Sequence, residues 1–255
     1  VKVPYTPEGL IGARLLHDMG VRINFTLEFS ARQNVLVTLI ARPDYLNVFL
    51  GRIGAFIADN KLGDGSGAGE NALLASQSWV TRLSAETGSK TRQIAASLRN
   101  YTQLDLLAGA DVYTIPPKVA AAGRKSLGGL FESRLAQRYD VPLNDDAAGL
   151  GIEKFWEVPD SVVELGRQLG KEVPAYGEEI VAKAHEAGVG DMFPVMDPEE
   201  KECIAAEGKI PVLSSWKERI LSGNLSPDTL LTLAGLASFT GDQKQLDDRV
   251  RGLIG

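Results

Sequence analysis

The sequence predicts an α/β fold: about five βα units of a (β/α)8 barrel, followed by a helical extension. Three observations predict it. From residue 1 to about 140, short β-rich apolar runs alternate with longer segments of helical period, the pattern of parallel βα units. The strand runs carry polar residues among the apolar ones, namely Lys2, Asn24 with Thr26, Asn47 with Arg52, and Ser97 with Arg99. Strands of a doubly wound sheet are sandwiched between helices and read as nearly unbroken apolar runs, whereas barrel strands direct part of their side chains to a central site. Beyond about 140 only helical patterns follow.

Strands are expected at 1–6, 22–30, 46–53, 92–99 and 111–116. After the first, Thr6 is an N-cap with Pro7 at the first helical position, Leu10, Ala13 and Leu16 recur at helical spacing, and Gly20 stops the helix. Ser30 with Gln33 has capping-box spacing, and Pro43 ends that helix before the third strand. Residues 54–70, with GDGSGAGE, read as a flexible excursion ahead of a helix at 70–86. Helices at 102–108 and 118–138 follow the last two strands, the second interrupted by Gly128 and Gly129. PLNDDAAGLG is a loop, so the barrel part covers 1–140 and the extension 141–255. Its helices are expected at 160–170, 177–187, 198–207, 214–222, 226–237 and 241–254, with Asp197/Glu200 and Ser226/Pro227 marking two starts.

Composition bounds the function. The chain has 255 residues, 44% of them hydrophobic, enough to bury a full core. Lys and Arg number 27 against 33 Asp and Glu, a net charge of -6, which argues against a nucleic-acid or anionic-membrane footprint. Any anionic ligand must therefore be held by a few local cations. Cys203 is the only cysteine, which excludes an intrachain disulfide or a cysteine-cluster zinc site and suits a reducing, cytoplasmic setting. His17 and His185 lack metal-ligand spacing, and no apolar run is long enough to span a membrane.

Lys2 stands in an apolar, strand-like run. A buried amine costs several kcal/mol unless it is paired or neutral, and desolvation moves it toward the range where the free amine is nucleophilic and forms a Schiff base with a carbonyl. Composition alone favours a terminal lysine that snorkels into water.

Resemblance tips the balance. VKVPYTPEGL at 1–10, INFTLEFSARQ at 23–33, LNVFLGRI at 46–53, IAASLRN at 94–100 and the ADVYTIPP strand resemble, in order and spacing, the transaldolase family of class I aldolases. The resemblance implies a cytoplasmic (β/α)8-barrel enzyme of the pentose phosphate pathway. It would move a dihydroxyacetone unit from a ketose phosphate, sedoheptulose 7-phosphate or fructose 6-phosphate, to an aldose phosphate, without metal or organic cofactor. Lys2 matches the Schiff-base lysine of the fourth barrel strand, so the chain supplies strands four to eight. Asn24 and Thr26 match the pair that orients sugar hydroxyls and holds a proton-relaying water. Arg52 and Arg99 match the two arginines that clamp the substrate phosphate, with Ser97 as an added donor. Phe49 occupies the apolar position near the imine where related sugar-phosphate aldolases carry tyrosine, which favours transfer over simple aldol cleavage.

Two departures stand out. Asn47 replaces the serine that usually contacts the dihydroxyacetone hydroxyl. The family's first three strands, with an aspartate, an asparagine and a glutamate for proton transfer and orientation, have no counterpart before residue 1, so those strands are expected on the same or an accompanying chain, and this segment alone is expected to show little turnover. The alternative function is a noncatalytic sugar-phosphate-binding or scaffold module. Gly63, Gly65 and Ala68 satisfy a GxGxxA spacing without a leading strand and read as a mobile loop. Phe155 and Trp156 are assigned to packing. The helices beyond about 175 match no family segment and leave room for a contact between copies.

Overall fold

The computed structural model describes residues 1–129 and 131–254. Five parallel strands, β1 (Lys2–Pro4), β2 (Asn24–Thr26), β3 (Tyr45–Phe49), β4 (Arg92–Ala96) and β5 (Val112–Tyr113), lie side by side in chain order. A doubly wound sheet reverses direction at a switch point; here each crossover steps one strand the same way, which is the barrel rule. Among the described residues, β1 pairs with β2 alone and β5 with β4 alone.

The connecting helices follow the local signals. In α1 (Pro7–Asp18) the Thr6 hydroxyl accepts the Gly9 N–H and Pro7 opens the first turn. In α2 (Ala31–Ile40), Ser30 and Gln33 form a reciprocal capping box, and every residue of the helix is buried. Two expectations about the next region fail. Residues 46–53 are not one strand: β3 ends at Phe49 and α3 (Leu50–Asp59) begins at once, because Leu50, Ile53, Phe56 and Ile57 bury a stripe of helical spacing. The glycine-rich segment after it is packed rather than free, with Gly65 against the Gly54 carbonyl and Gly67 against that of Asp140.

The remaining barrel helices are α4 (Ala68–Thr87), α5 (Thr102–Leu106) and α6 (Pro117–Ser126). The helix expected to reach 138 stops at Ser126, with Leu127 extended ahead of the two glycines. The later helices are α7 (Asp160–Lys171), α8 (Gly177–Glu186), α9 (Pro198–Glu207), α10 (Leu213–Leu221) and α11 (Pro227–Ile254). The two helices expected at 226–237 and 241–254 are one, since Gly241 keeps helical backbone. α7 packs on α2, α8 on α1, and α11 reaches α3, so both apolar cores draw residues from either side of position 140.

The polar tie between α2 and α11 is an ion cluster. Arg32 donates to both carboxylate oxygens of Asp228, at 2.8 and 2.7 Å, and to the Ser226 hydroxyl at 2.6 Å, and Asp191 lies 3.0 Å away. All four side chains are buried. Burial acts to raise the Asp228 carboxyl, but the Arg32 guanidinium outweighs it and holds the group below the usual carboxylate range. Removing one partner leaves an unpaired buried charge, so Asp228→Ala should lower stability by about 3–5 kcal/mol in urea unfolding. Because the folded group titrates below its unfolded value, this contribution is present above the ordinary carboxylate pKa and is lost as pH falls through the folded one. The gap between wild type and variant should therefore close only in strong acid.

Candidate active site

Side chains alternate along a strand. Register therefore puts Lys2, Asn24, Thr26, Asn47 and Phe49 on one face, and Phe25, Leu46, Val48 and Ala95 on the opposite, helix-covered one. Lys2 stands directly opposite Asn24, and Pro4 opposite Thr26. The Asn47 amide donates to Asn24 Oδ1 at 2.8 Å and to the Phe25 carbonyl. Lys2, Asn24, Thr26 and Asn47 thus share one polar face of the sheet.

A bulge shapes this face. Tyr45 N–H takes the Ile23 carbonyl as a regular parallel ladder requires, and the next rung would join Asn47 N–H to Phe25. Instead Leu27 adopts φ 71° and slips the register by one, so Phe49 N–H bonds Glu28 O at 3.2 Å. Each freed group is satisfied. The Leu27 carbonyl accepts from Thr232 of α11 at 2.9 Å, and the Asn47 carbonyl from Asn34 of α2 at 3.0 Å. Asn47 N–H donates to Glu28 Oε1 at 3.4 Å, which draws a fully buried carboxyl between β2 and β3. Burial is the largest influence on Glu28 and raises it to about 8, against the opposing pull of backbone N–H groups and of the Lys2 charge.

The arginines follow the C-terminal ends of β3 and β4. Arg52 lies in the first turn of α3, 8% exposed, with its guanidinium 5.4 Å over the Phe49 ring and 6.0 Å from that of Phe239 on α11. Burial, then the charge of Arg99, depresses its pKa. Arg99 is exposed and follows the turn after β4, where Ser97 holds a left-handed φ of 65°. Its side chain runs along Gly51: a Cβ there would overlap the Ser97 carbonyl oxygen and Arg99 itself, so only glycine admits this approach. Three buried polar atoms here have no protein partner: Thr26 Oγ1, Glu28 Oε2 and Arg52 Nη1. Buried polar atoms are rarely left unpaired, so each of these three calls for a reason.

Lys2 is exposed, on an edge strand, so the nearly dry amine expected from the sequence is not found. Lys2 and Thr26 line a cleft of about 510 Å³ whose far wall is α11, through Leu236, Phe239, Lys244 and Asp247. Among the described residues no metal-binding cluster of His, Cys, Asp or Glu occurs, and no helix is long and apolar enough to cross a membrane. Glu28 and Phe239 were missed in the sequence. Glu28 did carry a signal, an acid within the apolar run NFTLEF, whereas Phe239 carried none because its place depends on how α11 lies.

The model of the transaldolase/fructose-6-phosphate aldolase family matches residues 1–149. This chain belongs to that family. It is similar to proteins named as probable transaldolases: 34% identical to one from Agathobacter rectalis over 157 residues, covering 61% of this chain and 57% of that one. The figures are 31% for one from Geobacillus thermodenitrificans, with 61% and 58% covered, and 34% over 163 residues for one from Bacillus cereus, with 62% and 60% covered. The chain thus spans somewhat under two thirds of the length of these relatives.

The buried carboxyl gives a test by stability. Glu28 titrates near 4.5 when unfolded and near 8 when folded, so the folded state binds more protons between those values and stability falls as pH rises through them. Glu28→Gln, which cannot ionise, should gain on the wild type by about 5 kcal/mol across that window in denaturant unfolding.

Proposed function

We propose that this chain carries the imine-forming and phosphate-clamping part of a transaldolase. The reaction is transfer of a dihydroxyacetone unit from a ketose phosphate, such as sedoheptulose 7-phosphate or fructose 6-phosphate, to an aldose phosphate, in the pentose phosphate pathway of the cytoplasm. The observation that carries the reading is the register that sets Lys2 opposite Asn24 on one sheet face with Thr26, together with the mutual approach of Arg52 and Arg99 beyond the ends of β3 and β4.

The chemistry follows from the groups. The free Lys2 amine attacks the ketose carbonyl and the carbinolamine loses water to a protonated imine, which serves as an electron sink. A base takes the proton of the hydroxyl two carbons away, its O–H electrons form the new aldehyde, the carbon–carbon bond breaks, and its pair moves onto the imine to give an enamine. The enamine adds to the acceptor aldehyde, and water then releases the product. Asn24 and Asn47 orient hydroxyls, and Thr26 holds the water that relays protons. Arg52 and Arg99 fix the phosphate through charge-assisted bonds, with Ser97 beside them. Phe49 offers the imine no acidic hydrogen, which disfavours hydrolysis of the donor and favours transfer. Strands bearing further acid–base groups, on the same or an accompanying chain, would complete the barrel beyond β1.

A second reading, a binding module without turnover, is favoured by the exposure of Lys2. Borohydride treatment with fructose 6-phosphate separates the two: an adduct on Lys2, absent from Lys2→Met, supports transfer chemistry, and reversible binding without adduct supports the module. In either case Arg52→Met should weaken sugar-phosphate binding by about 10–100-fold, as loss of a charge-assisted hydrogen bond does, while an unphosphorylated ketose is bound unchanged.

A further inference from the structure

Of the two arginines at the candidate site, Arg99 is exposed and Arg52 is covered. Arg52 Nη1 is buried without a hydrogen-bond partner, and it is turned toward α11, where a Cβ at Gly235 would come within 3.4 Å of it. One turn further along the same helix, the Phe239 ring lies 6.0 Å from the guanidinium carbon. A buried N–H with no oxygen to bond costs free energy, and a ring face recovers only part of it. The cover is uneven. Phe49 is half-buried at the end of β3, whereas Phe239 is 36% exposed and begins a stretch of α11, residues 239–246, that is exposed throughout. A side chain there meets little that would stop it from turning to another rotamer. Phe239 also lines the cleft that holds Lys2 and Thr26, so one ring borders both the lysine cleft and the covered arginine.

We propose that Phe239 selects the ligand of the clamp: its ring covers Arg52 in the free protein and turns aside for a sugar phosphate entering the cleft, so that sugar phosphates are taken in preference to free phosphate. This rests on the phosphate-clamp reading above. Inorganic phosphate must push the ring off the cation and has no carbon chain to set against it. A sugar phosphate displaces the ring too, but its chain packs on the turned ring and recovers the lost contact. The guanidinium itself stays against Phe49, so opening moves one side chain and leaves α11 anchored at Asp228. The small residue at 235 keeps the space beside Nη1 free for a phosphate oxygen once the ring has moved.

The test is calorimetric titration of wild type, Phe239→Ala, Phe239→Tyr and Arg52→Met with inorganic phosphate and with fructose 6-phosphate. Phe239→Ala should bind inorganic phosphate about 10-fold more tightly than wild type, the worth of one desolvated cation–π contact, and fructose 6-phosphate within about 3-fold of wild type. The preference for the sugar phosphate therefore shrinks, and Phe239→Tyr, which restores the ring, should return it. An equal preference in wild type and Phe239→Ala, with Arg52→Met still weakening fructose 6-phosphate binding, would overturn the role of Phe239 and leave the clamp standing. Wild type that binds neither ligand, or Arg52→Met that binds fructose 6-phosphate as wild type does, would overturn the clamp and this role with it. Should Phe239→Ala fail to fold, the fluorine resonance of fluorophenylalanine placed at position 239 decides: a shift at saturating fructose 6-phosphate is the expected result, and an unmoved resonance refutes the proposal.

Discussion

The buried contact of Arg32 with Asp228 is the constraint on which the site depends. Two charges taken out of water are stabilised only by close pairing and by further hydrogen bonds, and here Ser226 and Asp191 supply them. The pairing fixes the start of α11 against α2. From Asp228 the helix presents Thr232, Gly235 and Phe239 at spacings of four, three and four residues, one stripe on one face. Each member of the stripe meets the site: Thr232 takes the Leu27 carbonyl, Gly235 lies against Leu27 and Arg52, and Phe239 faces the Arg52 guanidinium. A Cβ at position 235 would fall 2.8 Å from Leu27 Cδ2, so the glycine sets how near α11 can come.

The bulge in β2 is the matching feature on the sheet side. Turning the Leu27 carbonyl out of the ladder would leave an unpaired acceptor in the core, were Thr232 not there to donate. The register slip at Leu27 and the placement of α11 therefore support one another. The same slip brings the Glu28 carboxyl inward against Asn47 N–H, so its setting is a consequence of how sheet and terminal helix meet. Ser97 repeats the device on β4, where a left-handed residue turns the chain so that Arg99 comes back along α3.

What could be read in the sequence divides along the same physical line. Local signals were sufficient for the strand order, the Thr6 and Ser30 caps and the helices from α7 to α10, because caps, prolines and hydrophobic period act within a few residues. The polar strand positions Lys2, Asn24 and Asn47, and Arg52 just past β3, were also legible, since a charge or amide in an apolar run costs free energy and calls for a reason. Features set by distant partners were not. The start of α3 was hidden because Leu50 to Ile53 continue the apolar run of β3, and one period replaces the other without punctuation. Gly241 suggested a break that the helix does not make. Arg32 and Asp228, 196 residues apart, gave no sign that they meet.

The two ends of the candidate site are built differently, and the difference follows from what each must do. The proposed phosphate clamp calls for rigidity: the Arg52 guanidinium is packed against the Phe49 and Phe239 rings, beside the close-packed Gly51 turn, so little side-chain freedom would be lost when an anion binds. In the proposed chemistry the amine must be reached by substrate, and Lys2 lies open on the edge strand, with the far wall of its cleft formed by α11. Because α11 is anchored at Asp228 and passes Arg52 before it reaches that cleft, changes around the lysine need not disturb the clamp. The arginine end is preorganised by the buried ion cluster, and the lysine end is left to be enclosed by whatever packs against β1 and the outer half of α11.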